Sequence, residues 1–174
     1  VDFSDACECD ETELRYFVNN IIDHTGAGPG VLLNGTSFLE VYHNTILNEV
    51  GVALDVMNVG QEVHIDTNVL VSSNDQALAM QGTELIQSFD NNIVFSAATN
   101  AVLDFDSVEE LNGSTLINAK DNLEGDPQLL PFSYGVSNVE VAFAGKPLGV
   151  LEDYNLEERS IDNPMSGAIE AFDV

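Results

Sequence analysis

Aligned on asparagine, the chain repeats every 24 residues, because Asn20, Asn44, Asn68 and Asn92 are equally spaced. Three positions before each stands a large apolar residue (Phe17, Val41, Ile65, Phe89), and two positions after each stands an aliphatic one (Ile22, Ile46, Leu70, Val94). About ten residues further on come β-favouring stretches at 30–33, 53–56, 77–80 and 101–104. Polar turns such as His24-Thr25-Gly26-Ala27-Gly28 and Ser72-Ser73-Asn74-Asp75 lie between. Each period therefore predicts one strand ending near the Asn, a second starting just after it and a third beyond the turn. No room is left for a helix.

Strands this short bury their apolar sides by coiling, climbing one strand spacing of about 4.8 Å per turn, so that equivalent residues stack into three parallel sheets around an apolar interior. The pattern predicts an all-β solenoid of about five coils over residues 1–127, with Asn20, Asn44, Asn68 and Asn92 forming a structural ladder at a bend. Amide side chains suit that place, since each can accept from one copy and donate to the next. Val31 and Leu33 sit one position off Leu54, Val56, Leu78 and Met80, which a one-residue difference in turn length would explain. Asn122 follows Asn92 by 30 residues, so 107–114 is expected as a longer loop. Residues 128–174 leave the period and are expected as an irregular closing segment of the same domain, with a strand at 139–143.

Val18-Asn19-Asn20-Ile21-Ile22 and Tyr42-His43-Asn44-Thr45-Ile46, each preceding a glycine-led strand, resemble coils of the right-handed parallel β-helix, or pectate-lyase-like, superfamily. Asp126-Pro127-Gln128-Leu129 resembles the segment that closes the last coil of secreted members. The stretch from Asp153 to Arg159, followed by Gly167-Ala168-Ile169-Glu170-Ala171-Phe172, resembles their closing pattern. The resemblance implies a right-handed coil. It does not imply one activity, since this architecture hosts lyases, hydrolases, epimerases, adhesins and non-catalytic modules. The usual capping helix at the start is replaced by strand-like Val1-Asp2-Phe3-Ser4, and the chain is expected to be processed or cut from something longer.

Charge narrows the partners. The 174 residues hold 30 Asp and Glu against 4 Lys and Arg, a net charge of −26. Arg15, Lys120, Lys146 and Arg159 form no cluster along the chain, which excludes free-standing nucleic-acid binding and attraction to anionic membranes. No apolar run approaches the roughly 18 residues of a membrane span. A surface so acidic suits a saline extracellular or cell-surface setting.

Asp66 and Asp90 fall in one column, two positions before the Asn, and would stand about 5 Å apart on neighbouring coils, a spacing that an acid–base pair could use. They are the weak catalytic candidates. His43 and His64 occupy different repeat positions and, like His24, read as exposed side chains rather than bases. Oxygen-rich loops favour a hard cation: Asp104, Asp106, Glu109 and Glu110 form one candidate calcium site, and Asp121, Glu124 and Asp126 another. Cys7 and Cys9 could bind a soft metal or bond to another chain. The sequons Asn34-Gly35-Thr36 and Asn112-Gly113-Ser114 both fall in expected turns.

The function expected from these readings is a non-catalytic extracellular structural or adhesive module, self-assembling end to end and binding calcium or glycan. Its partners would be copies of itself, a missing N-terminal part of the chain, or polysaccharide. The alternative is the C-terminal part of a polysaccharide lyase, epimerase or glycosidase.

Overall fold

The computed structural model describes residues 1–4, 14–83, 85–98, 100–142, 145–160, 162 and 164–169. Cys7 and Cys9 lie outside the described residues. The chain is a parallel β-helix. Strand β1 (Asp2–Ser4) is followed by a complete turn of β2 (Arg15–Val18), β3 (Ile21–His24) and β4 (Val31–Asn34). The second turn is β5 (Leu39–Tyr42), β6 (Thr45–Asn48) and β7 (Leu54–Met57), and the third is β8 (Val63–Asp66), β9 (Val69–Ser72) and β10 (Leu78–Gln81).

A fourth turn begins with β11 (Ile86–Asp90) and β12 (Ile93–Ser96), but its third strand shrinks to one bridge, Val102 to Leu78. Helix α1 (Val108–Asn112) comes next, then two-residue strands β13 (Ala119–Lys120) and β14 (Leu123–Glu124). Among the described residues, three turns are complete rather than about five, because the chain leaves the coil after Val102. Asp104 turns there with a left-handed φ of 67°.

Equivalent strands stack in parallel. The first sheet runs β1-β4-β7-β10, the second β13-β11-β8-β5-β2 and the third β14-β12-β9-β6-β3. Val31 pairs with Leu54 and Leu33 with Val56, so the offset of one residue is absorbed in the turn between β3 and β4. Both repeat columns point inward. Phe17, Val41, Ile65 and Phe89 from the second sheet meet Ile46, Leu70 and Val94 from the third and Leu33, Leu54 and Leu78 from the first in one continuous core. Burial of this kind, at about 25 cal/mol per Å² of apolar surface, is what holds so short a set of strands together.

The bend between second and third sheets has two residues in every turn. The first is left-handed, as at Asn19 (φ 57°), His43 (53°), Thr67 (61°), Asn91 (56°) and Asp121 (55°). The second is the asparagine. Asn20 Nδ2 donates to Asn44 Oδ1, Asn44 Nδ2 to Asn68 Oδ1, Asn68 Nδ2 to Asn92 Oδ1, and Asn92 Nδ2 to Asn122 Oδ1, all at 2.9–3.0 Å. The wider spacing to Asn122 therefore leaves the ladder unbroken, and the extra residues are looped out elsewhere on the turn. Asn112 ends the stack, its Oδ1 accepting from Asn122 Nδ2 at 2.7 Å. This sequon asparagine thus lies in a helix with its amide engaged, not in an open turn.

Two local expectations are corrected. The stretch 107–114 contains α1 because Ser107 caps it, its Oγ accepting from Glu110 N at 3.1 Å. The expected strand at 139–143 is instead α2 (Val139–Ala142), with Asn138 Oδ1 accepting from Glu140 N at 3.0 Å; residue 143 lies outside the described residues. Beyond Pro127 the chain packs on the outside of the third sheet, where Val136, Val141, Ala142 and Met165 cover Val69 and Ile93.

Candidate functional site

Alternation along the strands gives the second sheet an outer face with two polar columns. Tyr16, Glu40, His64 and Ser88 form one, each in register with the next. Tyr42, Asp66, Asp90 and Lys120 form the other. A bulge between Ile86 and Ser88 sets Ser88 opposite His64. Such bulges re-aim a side chain without breaking the sheet.

Asp66 and Asp90 are brought together as neighbours, in a network that satisfies Asp66 and one oxygen of Asp90 but leaves Asp90 Oδ1 buried with no hydrogen-bond partner among the described residues. Ser88 Oγ donates to Asp66 Oδ2 at 2.8 Å, and the Asp90 amide donates to Asp66 Oδ1 at 2.8 Å. Lys146, reaching in from the closing segment, meets Asp90 Oδ2 at 2.8 Å. Asp66 is only 3% exposed, and burial pushes its carboxyl up despite the opposing pull of Ser88, the Asp90 amide and Lys146. Burial likewise raises Glu40, and it raises the Tyr42 hydroxyl, with Glu40 and Asp66 adding to the effect.

His64 Nδ1 lies 2.9 Å from Ser88 Oγ. Since Ser88 gives its own proton to Asp66, the bond needs the His64 proton on Nδ1; the other ring nitrogen, Nε2, lies 3.7 Å from Glu62 Oε2. The first column is open at Tyr16, which is 65% exposed, and the second at Lys120, whose side chain is 72% exposed. The first can hydrogen-bond a ligand. In the second column Asp66 is buried and Asp90 is covered by Lys146 of the closing segment.

His43 is buried, not exposed. The closing segment covers its bend, where Gly167 N donates to Thr67 O at 2.8 Å and Ala168 N to Thr45 Oγ1 at 3.0 Å. The His43 ring bonds the Met165 backbone, while Nδ1 has no hydrogen-bond partner among the described residues. Burial, then the neighbouring Arg159 charge, hold it down to about 3. The folded chain thus keeps His43 neutral at acidities where the unfolded chain protonates it. His43 therefore supports stability above the ordinary histidine range, and that support is lost as pH falls from about 6.5 toward 3. His43→Asn, which tolerates the left-handed bend, should remove this dependence. Urea unfolding at about pH 7.5 and about pH 5 should show the parent losing about 2 kcal/mol more than the variant, since the slope of about 1.4 kcal/mol per pH unit sets in only below about 6.5.

The acidic loop residues serve mainly as local acceptors. Glu110 Oε2 accepts from Asp106 N at 2.7 Å, Glu124 Oε2 from Val108 N at 3.1 Å, and Asp126 Oδ1 from Gln128 N at 2.8 Å. Asp121 faces Lys120 at 3.4 Å, and Glu109 sits in the first turn of α1. Among the described residues, no three His, Cys, Asp or Glu side chains gather as a metal site. The residues missed from sequence are Ser88, Glu40 and Tyr42, although Ser88 stands one period after His64, a signal that could have found it. No family model matches the chain, and neither a curated protein nor a solved structure matches it.

Proposed function

We propose that the chain is a non-catalytic extracellular or cell-surface module of the pectate-lyase-like β-helix type, a rigid rod that meets polysaccharide or further copies of itself. One observation carries this reading: the stacked carboxylates are largely used internally, Asp66 by Ser88 and the Asp90 amide, and Oδ2 of Asp90 by Lys146. A glycosidase needs its carboxyl groups on either side of a bound glycosidic linkage. Here Lys146 of the closing segment stands against one of the two carboxylates. Strands β2 and β3 end their sheets among the described residues, and an open sheet edge favours pairing with another chain.

Light scattering and negative-stain microscopy of the purified chain, with and without millimolar calcium, test the assembly reading. Rods or filaments would support it, with calcium dependence adding a cation to the junction, and a monomer under both conditions would remove self-assembly. The alternative, part of a polysaccharide lyase, epimerase or glycosidase, is favoured by the His64–Ser88–Asp66 chain of bonds beside Glu40. Turnover of a glycan panel that falls in His64→Gln would establish that alternative instead.

A further inference from the structure

Where the chain leaves the coil, α1 stands off from the end of β10 and a cavity of about 600 Å³ opens between them. That volume is in the range of small-molecule sites. Its lining is divided by chemistry. Asp104 and Glu110 supply carboxylates, Thr83 and Ser114 supply hydroxyls, and Phe105 and Leu116 supply an apolar wall.

The two carboxylates and Leu116 are open to a ligand, whereas Thr83 is buried and Ser114 Oγ already accepts from Leu116 N at 3.1 Å, keeping its own proton to give. Leu116 is 71% exposed at the cavity, an apolar side chain that water surrounds for want of a cover. Asp104, held at its left-handed turn, makes no hydrogen bond to another described residue, and Glu110 uses one oxygen for Asp106 N and keeps the other.

The lining discriminates among cations. Calcium takes six to eight oxygens, and an apolar wall supplies none. A singly charged ammonium on a body with one apolar face and several hydroxyls matches each of its open parts. Its charge meets two carboxylates on a chain of net charge −26, its hydroxyls meet Ser114, and its apolar face meets Phe105 and Leu116.

We propose that this cavity seats a cationic amino sugar of a polysaccharide, the ammonium at Asp104 and Glu110 and the ring against Leu116. The proposal rests on the reading of the chain as a non-catalytic glycan-binding module and names its ligand class. Uronate polymers are repelled here by the same carboxylates.

Calorimetric titration of the full chain with a glucosamine hexamer tests it, alongside the fully N-acetylated hexamer and the simple amine hexylamine. Saturable binding of the free-amine hexamer is expected, weakened by at least about tenfold in D104N/E110Q, in Leu116→Ser and on N-acetylation. These variants spare the fold: Asn accepts the left-handed turn, Gln keeps the oxygen that receives Asp106 N, and residue 116 is exposed. Binding unchanged in D104N/E110Q, equal for the N-acetylated hexamer, or matched by hexylamine would overturn it, as would no binding at all. Product analysis of the same mixtures separates the two claims. Cleavage of a hexamer overturns the non-catalytic reading, whereas intact, unbound hexamer overturns the seat alone.

Discussion

Asn68→Ala is expected to cost at least about 4 kcal/mol in urea unfolding. Asn68 is fully buried in the middle of the ladder. Its Oδ1 accepts from the Asn44 amide and from Asn44 Nδ2, both at 2.9 Å. Its Nδ2 donates to Val41 O at 2.8 Å, Asp66 O at 3.1 Å and Asn92 Oδ1 at 3.0 Å. Truncation strands donors and acceptors that no water reaches, and each orphaned group costs about 1–3 kcal/mol.

Asn68→Asp keeps the shape but removes both donors and points an oxygen at the Val41 carbonyl, so it should be at least as damaging. Asn20→Ala, at the half-buried end of the stack, should cost only about 1 kcal/mol because solvent can replace what it loses. The gradient from Asn20 to Asn68 is the signature of a ladder. Equal, small losses at both positions would mean that the amides are passengers on the apolar columns.

The ladder and the columns were legible in the sequence because the period is strict there, and an inward position repeated four times cannot be confused with an outward one. The coil count was not legible. A fourth stretch at 101–104 looks as β-favouring as the three before it, yet only Val102 bridges to the sheet, because the chain must turn at Asp104 to enter α1. The helix itself left a sign in the residue types alone: Ser107 followed three residues later by Glu110 is a capping pair.

For Asp66 and Asp90, sequence placed the two residues in one column but could not place what covers them. Lys146 lies 56 residues from Asp90, and the residues that bury His43 come more than 100 positions later. Period and propensity are local signals. The roof is tertiary, and so are the shifted carboxyl and imidazole beneath it.

Arg159→Leu should release that roof. Arg159 is 3% exposed, and its guanidinium donates to Asn19 Oδ1 at 2.9 Å, Gly167 O at 2.9 Å, Ala168 O at 3.0 Å and Met165 O at 3.4 Å. It therefore ties the first bend of the coil to the last described turn of the closing segment. Leucine fills similar space but leaves buried carbonyls unpaired, and breaking a buried charged contact from one side typically costs about 3–5 kcal/mol. The loss falls on the docking of the closing segment, since the strands beneath it carry their own core. Limited proteolysis should then cut first beyond Pro127 and leave the three complete turns intact, with their β-sheet signal retained. Lys146→Met, which leaves the mostly buried Asp90 carboxylate without its ion partner, should cost about 1–3 kcal/mol yet leave the cleavage pattern unchanged. His43 supplies an independent readout. Both influences that hold it down to about 3, burial under the segment and the charge of Arg159, disappear together in Arg159→Leu, so its ring should titrate near the ordinary histidine value of about 6.5 by NMR. A His43 that stays neutral to low pH, in a variant that proteases cut no faster, would show that the apolar contacts of Val136, Val141 and Met165 hold the roof without the arginine.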